Sequence, residues 1–110
     1  MSLCIKAIFR PFKLTDVLTE LAEIEGLPGV TVSEVRRFWK NGSGKKADGL
    51  IDFVEKVKIE VIVPDHLVER IVTLIQTAAH TGNTGDGKIF IIPVEDVVKI
   101  RTNERGPEAL

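Results

Sequence analysis

The residues best equipped for chemistry are Gly85-Asp86-Gly87-Lys88, which close a polar run opened by Thr81-Gly82-Asn83-Thr84. Glycines let backbone N–H groups turn toward an anion, and a following lysine supplies a point charge for a phosphate. A helix-to-strand connection needs one glycine to stop the helix, whereas this one carries three, with two threonines and a lysine. It is not a Walker loop: the GxxxxGK[ST] spacing is absent, and a strand rather than a helix follows. A tight turn with Asp86-Gly87 at its corner and Lys88 in solvent accounts for the same residues, so the loop alone does not decide. Its company adds weight. Lys99, Arg101 and Arg105 form a second basic group behind the last strand, and Lys56 opens the third strand. Converging on one cleft, these cations would suit phosphate oxygens, for which arginine forks are well shaped.

A second stretch with chemical character is residues 39–50. Arg36, Arg37, Lys40, Lys45 and Lys46 place five positive charges within eleven residues that contain no acid, and Phe38 and Trp39 lead into a segment rich in glycine. Long glycine-lysine hairpin tips are often plain connectors. Aromatic and basic residues on a protruding loop also suit docking to a partner, and Arg37, Phe38, Trp39, Lys40, Lys45 and Lys46 are the expected docking residues. Catalysis finds no comparable support. His66 and His80 show no metal-ligand spacing with each other or with Cys4, so no metal site is expected. No nucleophile has a base beside it in sequence, and no catalytic residue is assigned.

These segments need a scaffold, and the hydrophobic pattern supplies one. Leu3 to Arg10 reads as a strand closed by Pro11. Leu14, Val17, Leu18, Leu21, Ala22 and Ile24 recur at helical spacing, with Thr15 as the expected cap and Gly26 at the end. Residues 30–38 alternate and are rich in β-branched side chains, as are residues 57–63. Asp65 is the expected cap of a second helix carrying Leu67-Val68, Ile71-Val72, Leu74-Ile75 and Ala78-Ala79 on one stripe and ended by Gly82. Ile89 to Ile92 reads as a buried strand. The order strand–helix–strand–strand–helix–strand predicts an α+β, ferredoxin-like βαββαβ fold with four antiparallel strands and both helices on one face. Ile59, Val61, Ile62 and Val63 make the third strand read as apolar on both sides, which calls for other subunits to cover the second face.

The whole chain sets the bounds. Its 110 residues are read as a single domain, 1–110, with the protruding loop at 39–50, the phosphate loop at 81–88 and a C-terminal segment at 95–110. The apolar fraction of 44% suits a globular chain, and a domain of this size buries roughly two-thirds of its unfolded surface. Fifteen basic and sixteen acidic residues give a net charge of −1, against a general nucleic-acid binder. One cysteine excludes an internal disulfide. With no charged-then-apolar leader and no membrane-length apolar run, neither secretion nor membrane insertion is indicated, and a cytoplasmic protein is expected.

Taken together, these residues resemble the PII nitrogen-regulatory signal-transduction family. Ala7 to Leu14 is similar to that family's first strand and its Lys/Arg-Pro-Phe-Lys-Leu turn, and Thr31 to Val35 to its second strand. Asp52-Phe53, Lys56 to Glu60 and the Thr81-Gly82…Gly85-Asp86-Gly87-Lys88-Ile89-Phe90 run resemble its middle and signature, and Ile100 to Gly106 its C-terminal element. The resemblance implies a homotrimer that binds ATP or ADP in clefts between subunits. Gly85, Asp86, Gly87 and Lys88 would wrap the phosphates, with Lys56 near the phosphates or an effector. Arg101 and Arg105 would reach in from the adjacent subunit, and Thr31 and Glu60 would lie in the adenine and ribose region. Lys99 stands where many members have arginine.

Departures fall in the 39–50 loop. It is shorter by a few residues, and the chain has no tyrosine, so the tyrosine modification common in the family is excluded. Phe38-Trp39-Lys40-Asn41 replaces a glycine-containing segment whose glutamine helps hold magnesium and 2-oxoglutarate. Asn41 is one methylene shorter and Trp39 is bulky, so the expectation stops short of those two ligands. The function expected is a non-enzymatic regulator in which nucleotide biases the basic loop toward or away from a protein target, such as a membrane transporter or a metabolic protein. The alternative is a small trimeric nucleotide hydrolase using the same cleft.

Overall fold

The computed structural model describes residues 1–38 and 53–110, so Trp39, Lys40, Asn41, Lys45 and Lys46 lie outside the described residues. The chain runs β1 (Ser2–Phe9), α1 (Leu14–Leu21), β2 (Thr31–Arg37), β3 (Val54–Pro64), α2 (Val68–Ala79) and β4 (Gly87–Val94). The strands form one sheet in the order β2-β3-β1-β4, and every neighbouring pair is antiparallel. Ile5, Ala7 and Phe9 of β1 alternate onto the same face as Val57, Ile59, Val61 and Val63 of β3. There they pack with Val17 and Leu21 of α1 and with Val68, Ile71, Ile75 and Ala79 of α2 in one core. Both helices therefore cover one face, giving the ferredoxin-like α+β fold expected from the element order.

The register corrects the argument for a covered second face. Ile59, Val61 and Val63 all point to the helices, so β3 is not apolar on both sides. Between its end residues Val54 and Pro64, its open-face positions are Lys56, Lys58, Glu60 and Ile62. The apolar surface on that side is built across strands instead: Ile62, Cys4 and Ile92 occupy one row, with Phe90 beside them. Ile92 and Phe90 are 40% and 39% exposed, so the face still presents apolar area. A period-two pattern forces this result, because one residue of misassigned phase moves every side chain to the other face.

Both expected helix caps are also corrected. Neither Thr15 nor Asp65 caps a helix; Lys13 and Leu67 hold those positions, and no side-chain cap bond is made. Each helix is instead approached through a 3-10 turn, Pro11–Lys13 and Asp65–Leu67, each preceded by extended backbone at Arg10 and Pro64. Proline at the first position of the first turn lacks an N–H that would otherwise need a partner. The helices end at Leu21 and Ala79, short of Gly26 and Gly82, which lie in the connections at φ +81° and +89°. β3 begins at Val54 and β4 extends from Gly87 to Val94 through Pro93, which a strand at the sheet edge tolerates. Among the described residues no helix is long and apolar enough to cross a membrane.

Two substitutions check this account by denaturant unfolding. Thr15→Ala should leave stability within about 0.5 kcal/mol, where loss of a true cap costs about 1 kcal/mol. Ile71→Ala, at a fully buried position, should cost about 2–5 kcal/mol.

Candidate functional site

The 81–88 connection is organised by one carboxylate. Asp86 turns into the loop, where its Oδ2 accepts the backbone N–H groups of Thr81 at 2.8 Å and Gly82 at 2.9 Å. Its Oδ1 accepts the Thr81 hydroxyl, and that hydroxyl oxygen accepts the N–H of Asn83 at 3.1 Å. These bonds tie both ends of the connection together. Gly85 and Gly87 adopt φ +99° and +108°. At Gly87 the requirement is absolute, because a Cβ there would lie 1.9 Å from the Ile8 carbonyl oxygen. The glycine lets β4 pair with β1 immediately after the turn.

Two cations clamp this loop from the neighbouring strands. The register pairs Phe9 with Val57 on one side and with Gly87 on the other. Arg10, one residue beyond, therefore sits between the start of β3 and Asp86. Its Nε donates to Asp86 Oδ1 at 3.2 Å, and its Nη2 donates to the Thr84 carbonyl at 2.6 Å. Lys56, only 4% exposed, donates from Nζ to the Gly85 carbonyl at 2.5 Å. Burial is the main cause that pushes the Lys56 ammonium below its ordinary pKa; Arg10 and Arg37 add to it and Asp86 opposes it. The Asp86 carboxyl is held well below the usual carboxylate range, chiefly by the Thr81 hydroxyl, then by the Thr81 and Gly82 N–H groups and Arg10.

Arg10 was not among the sequence candidates. It stands 76 residues from Asp86, and its one local signal is an arginine between an apolar strand and Pro11. Lys56 and the Gly85-Asp86-Gly87 loop do come together as expected. Lys88 follows on the open face, exposed, in the row of Ile8 and Lys58. Thr31 and Glu60 are direct cross-strand partners on that same face, and Glu60 Oε1 lies 3.7 Å from Lys58 Nζ. Four residues of β3 separate Glu60 from Lys56, about 13 Å of strand.

The C-terminal cations are elsewhere. β4 starts at the 81–86 connection and carries the chain about 24 Å to the other end of the sheet. Arg105 there donates from Nη1 to Asp96 Oδ2 at 2.8 Å, and Lys99 lies 3.6 Å from Glu104. Arg101 is exposed, next to Ile100, which is 100% exposed. Convergence of Lys99, Arg101 and Arg105 on the loop of their own chain is thus corrected, because β4 leads directly away from it. At the base of the 39–50 loop, Phe38 meets Phe53 with ring centroids 5.9 Å apart, and the Arg36 guanidinium lies 4.9 Å from the Phe53 centroid. Arg37 pairs with Val54 in the last β2–β3 row.

The depressed Asp86 pKa gives a signed prediction. Its contribution to stability is fully present above the unfolded value, near 3.9, and is lost as pH falls through the lower folded value. The difference in thermal midpoint between wild type and Asp86→Asn should stay constant from pH 7 to about 4 and shrink below it. A constant difference down to pH 2 would contradict the assignment.

The family model described as nitrogen regulatory protein P-II matches residues 3–104. The nitrogen regulatory protein P-II of Azospirillum brasilense is 49% identical over 110 residues, covering 96% of this chain and 97% of the relative. The nitrogen regulatory protein P-II 1 of Escherichia coli K12 is 44% identical with the same coverage. The crystal structure of Arabidopsis thaliana PII bound to citrate superposes with a TM-score of 0.80 at 42% identity, covering 99% of this chain and 92% of that one. Matched along nearly its whole length in sequence and in fold, the chain belongs to the nitrogen regulatory protein P-II family of signal-transduction proteins.

Proposed function

We propose that this protein is a non-enzymatic nucleotide sensor that binds ATP or ADP between the subunits of a homotrimer and signals through its 39–50 loop. The observation that carries the reading is the clamp of Arg10 and Lys56 on the Thr84–Asp86 turn. It holds a glycine-rich backbone and a cluster of cations at one end of an open sheet face. Gly85, Asp86, Gly87 and Lys88 form the phosphate side, with Asp86 shaping the loop from within while its neighbours offer backbone and charge. Lys56 stands beside the phosphates, and Thr31 with Glu60 forms the base and ribose side.

The open face explains why a second copy is needed. Its apolar end, Ile62, Cys4 and Ile92, favours burial, while its cationic end is left to line a cleft. Among the described residues Arg105 pairs with Asp96 and Arg101 is exposed, both at the end of the sheet away from the Gly85–Lys88 loop, and a neighbouring subunit's cleft is where they would act. The relatives named above are regulatory proteins, which supports a signalling role over catalysis.

Lys56 lies two residues inside β3, the strand that emerges from the 39–50 loop, and the Phe38–Phe53 contact closes that loop's base. A phosphate contact at Lys56 therefore acts next to the loop's root. Arg37, Phe38, Trp39, Lys40, Lys45 and Lys46 would present the docking surface, suited to an acidic protein target such as a transporter vestibule.

Sedimentation should show a species three times the 12.2 kDa chain. Calorimetry should show ATP and ADP binding without steady phosphate release; sustained release would instead establish a hydrolase. Lys88→Ala should weaken ATP about 10–100-fold, as expected for loss of a charge-assisted hydrogen bond. Unchanged affinity would remove Lys88 from the site.

A further inference from the structure

The core joins both helices to β1 and β3, and the helix side of the edge strand β4 is left largely bare. Ile89, Ile91 and Pro93 hold that side, opposite Ala7, Ile5 and Leu3 of β1. Among the described residues none of β4 is fully buried, and Ile91 is 46% exposed. Between α2 and β4 opens a groove of about 380 Å³, its floor formed by Val72, Ile75 and Ala79 with Ile89. Its lip is Asp86 to Lys88, the end of the glycine-rich loop. A cavity of roughly 150 Å³ holds benzene, so this groove has room for a large aliphatic side chain and the backbone that carries it.

Past the far end of β4 the chain makes a tight turn. The Lys99 N–H donates to the Glu104 carbonyl at 2.9 Å, the Asn103 N–H donates to the Lys99 carbonyl at 2.8 Å, and Asn103 takes φ +64°. The Thr102 hydroxyl adds a bond to the Glu104 carboxylate at 2.7 Å. These bonds order the turn from within, and on it Ile100 is 100% exposed, beside the exposed Arg101. A lone surface isoleucine needs no partner in general. This one stands on a preorganised turn, next to the arginine assigned above to a neighbouring subunit. The groove of its own chain opens at the other end of β4, about 24 Å away, so a second copy is needed to bring the two together.

We propose that Ile100 of one subunit seats in the α2–β4 groove of its neighbour, a contact on the helix side of the sheet and separate from the open face. It rests on the homotrimer and on the place given to Arg101 above. Consecutive Cα atoms are 3.8 Å apart, so an Arg101 at the Gly85–Lys88 loop brings Ile100 to the groove of which that loop is the lip. Both apolar surfaces then leave water together. The loop is thereby held from three sides: by Arg10 and Lys56 within the chain, and by the seated isoleucine from outside it.

Disulfide trapping on the full chain tests the contact, using Cys4→Ala with Ile100→Cys and Gln76→Cys, since Gln76 also lines the groove. Mild oxidation should give covalent dimers and trimers on a non-reducing gel, and neither single-cysteine variant should. Ile100 is fully exposed in the single chain, so Ile100→Ser leaves the fold intact; it should weaken assembly about tenfold or more per interface in sedimentation, and Ile100→Val should keep it. A double-cysteine chain that sediments as a trimer yet runs only as a monomer after oxidation overturns the proposal and leaves the trimer standing. Wild-type-like assembly by Ile100→Ser overturns it too. A wild-type chain that sediments as a monomer overturns the proposal together with the reading beneath it.

Discussion

The carboxylate of Asp86 is the group on which the candidate site depends. It accepts from two backbone N–H groups, a hydroxyl and a guanidinium, and so joins the end of α2, the start of β4 and the end of β1. Without that focus the 81–86 connection would be a glycine-rich segment whose ordering entropy nothing local offsets. Its charge also matters to its neighbours. Arg10 and Lys56 are two cations packed against the same turn, and Asp86 is the anion that keeps them together and favours the charged form of Lys56. A loop shaped in this way has its side-chain acceptor turned inward, which leaves backbone and lysine as its outward chemistry.

Position on the sheet then separates chemical character along a single strand. From its first residues, β3 presents Lys56 at the loop row, Lys58 at the Ile8 row, Glu60 opposite Thr31 and Ile62 in the apolar row. The other face of the same strand is uniformly valine and isoleucine, Val57, Ile59, Val61 and Val63, all at most 2% exposed. The buried face fixes the register, because a slip of one residue would bury the lysines and expose the core. Core packing therefore sets the spacing of the charged groups, and their order along the open face follows without further specification.

The element order was legible because alternation and helical spacing are strong over these lengths, and the buried residues of β3 and α2 fall on the expected alternation and stripe. Strand ends were less so. Gly87-Lys88 and Pro93 have loop-like composition but are paired, the glycine because only it fits beside Ile8 and the proline because β4 is an edge. Caps were misread because a 3-10 turn precedes each helix and displaces the first helical residue from the nearest hydroxyl or carboxylate. Within the site, Lys56 and the glycine loop were visible as composition, while Arg10 was not: its role comes from β1 lying between β3 and β4, a property of topology. The same topology sends Arg101 and Arg105 to the far end, which no local pattern reveals.

That separation bears on how binding and signalling connect under the proposed reading. Lys56 holds the Gly85 carbonyl at a fixed distance, and two residues earlier β3 meets Arg37 at the last rung before the 39–50 loop. A phosphate oxygen that competes with Gly85 for the Lys56 ammonium changes the bonding of a residue buried at the loop's root. Arg10 and Arg37 both disfavour the charge on Lys56, so an added anion there relieves repulsion as well as satisfying a donor. Ligands that differ in the anion they place at this point would stabilise different arrangements of the same root, and only that difference can shift the loop. The constraint is stringent: a ligand that bound equally well to both arrangements would be held tightly and report nothing.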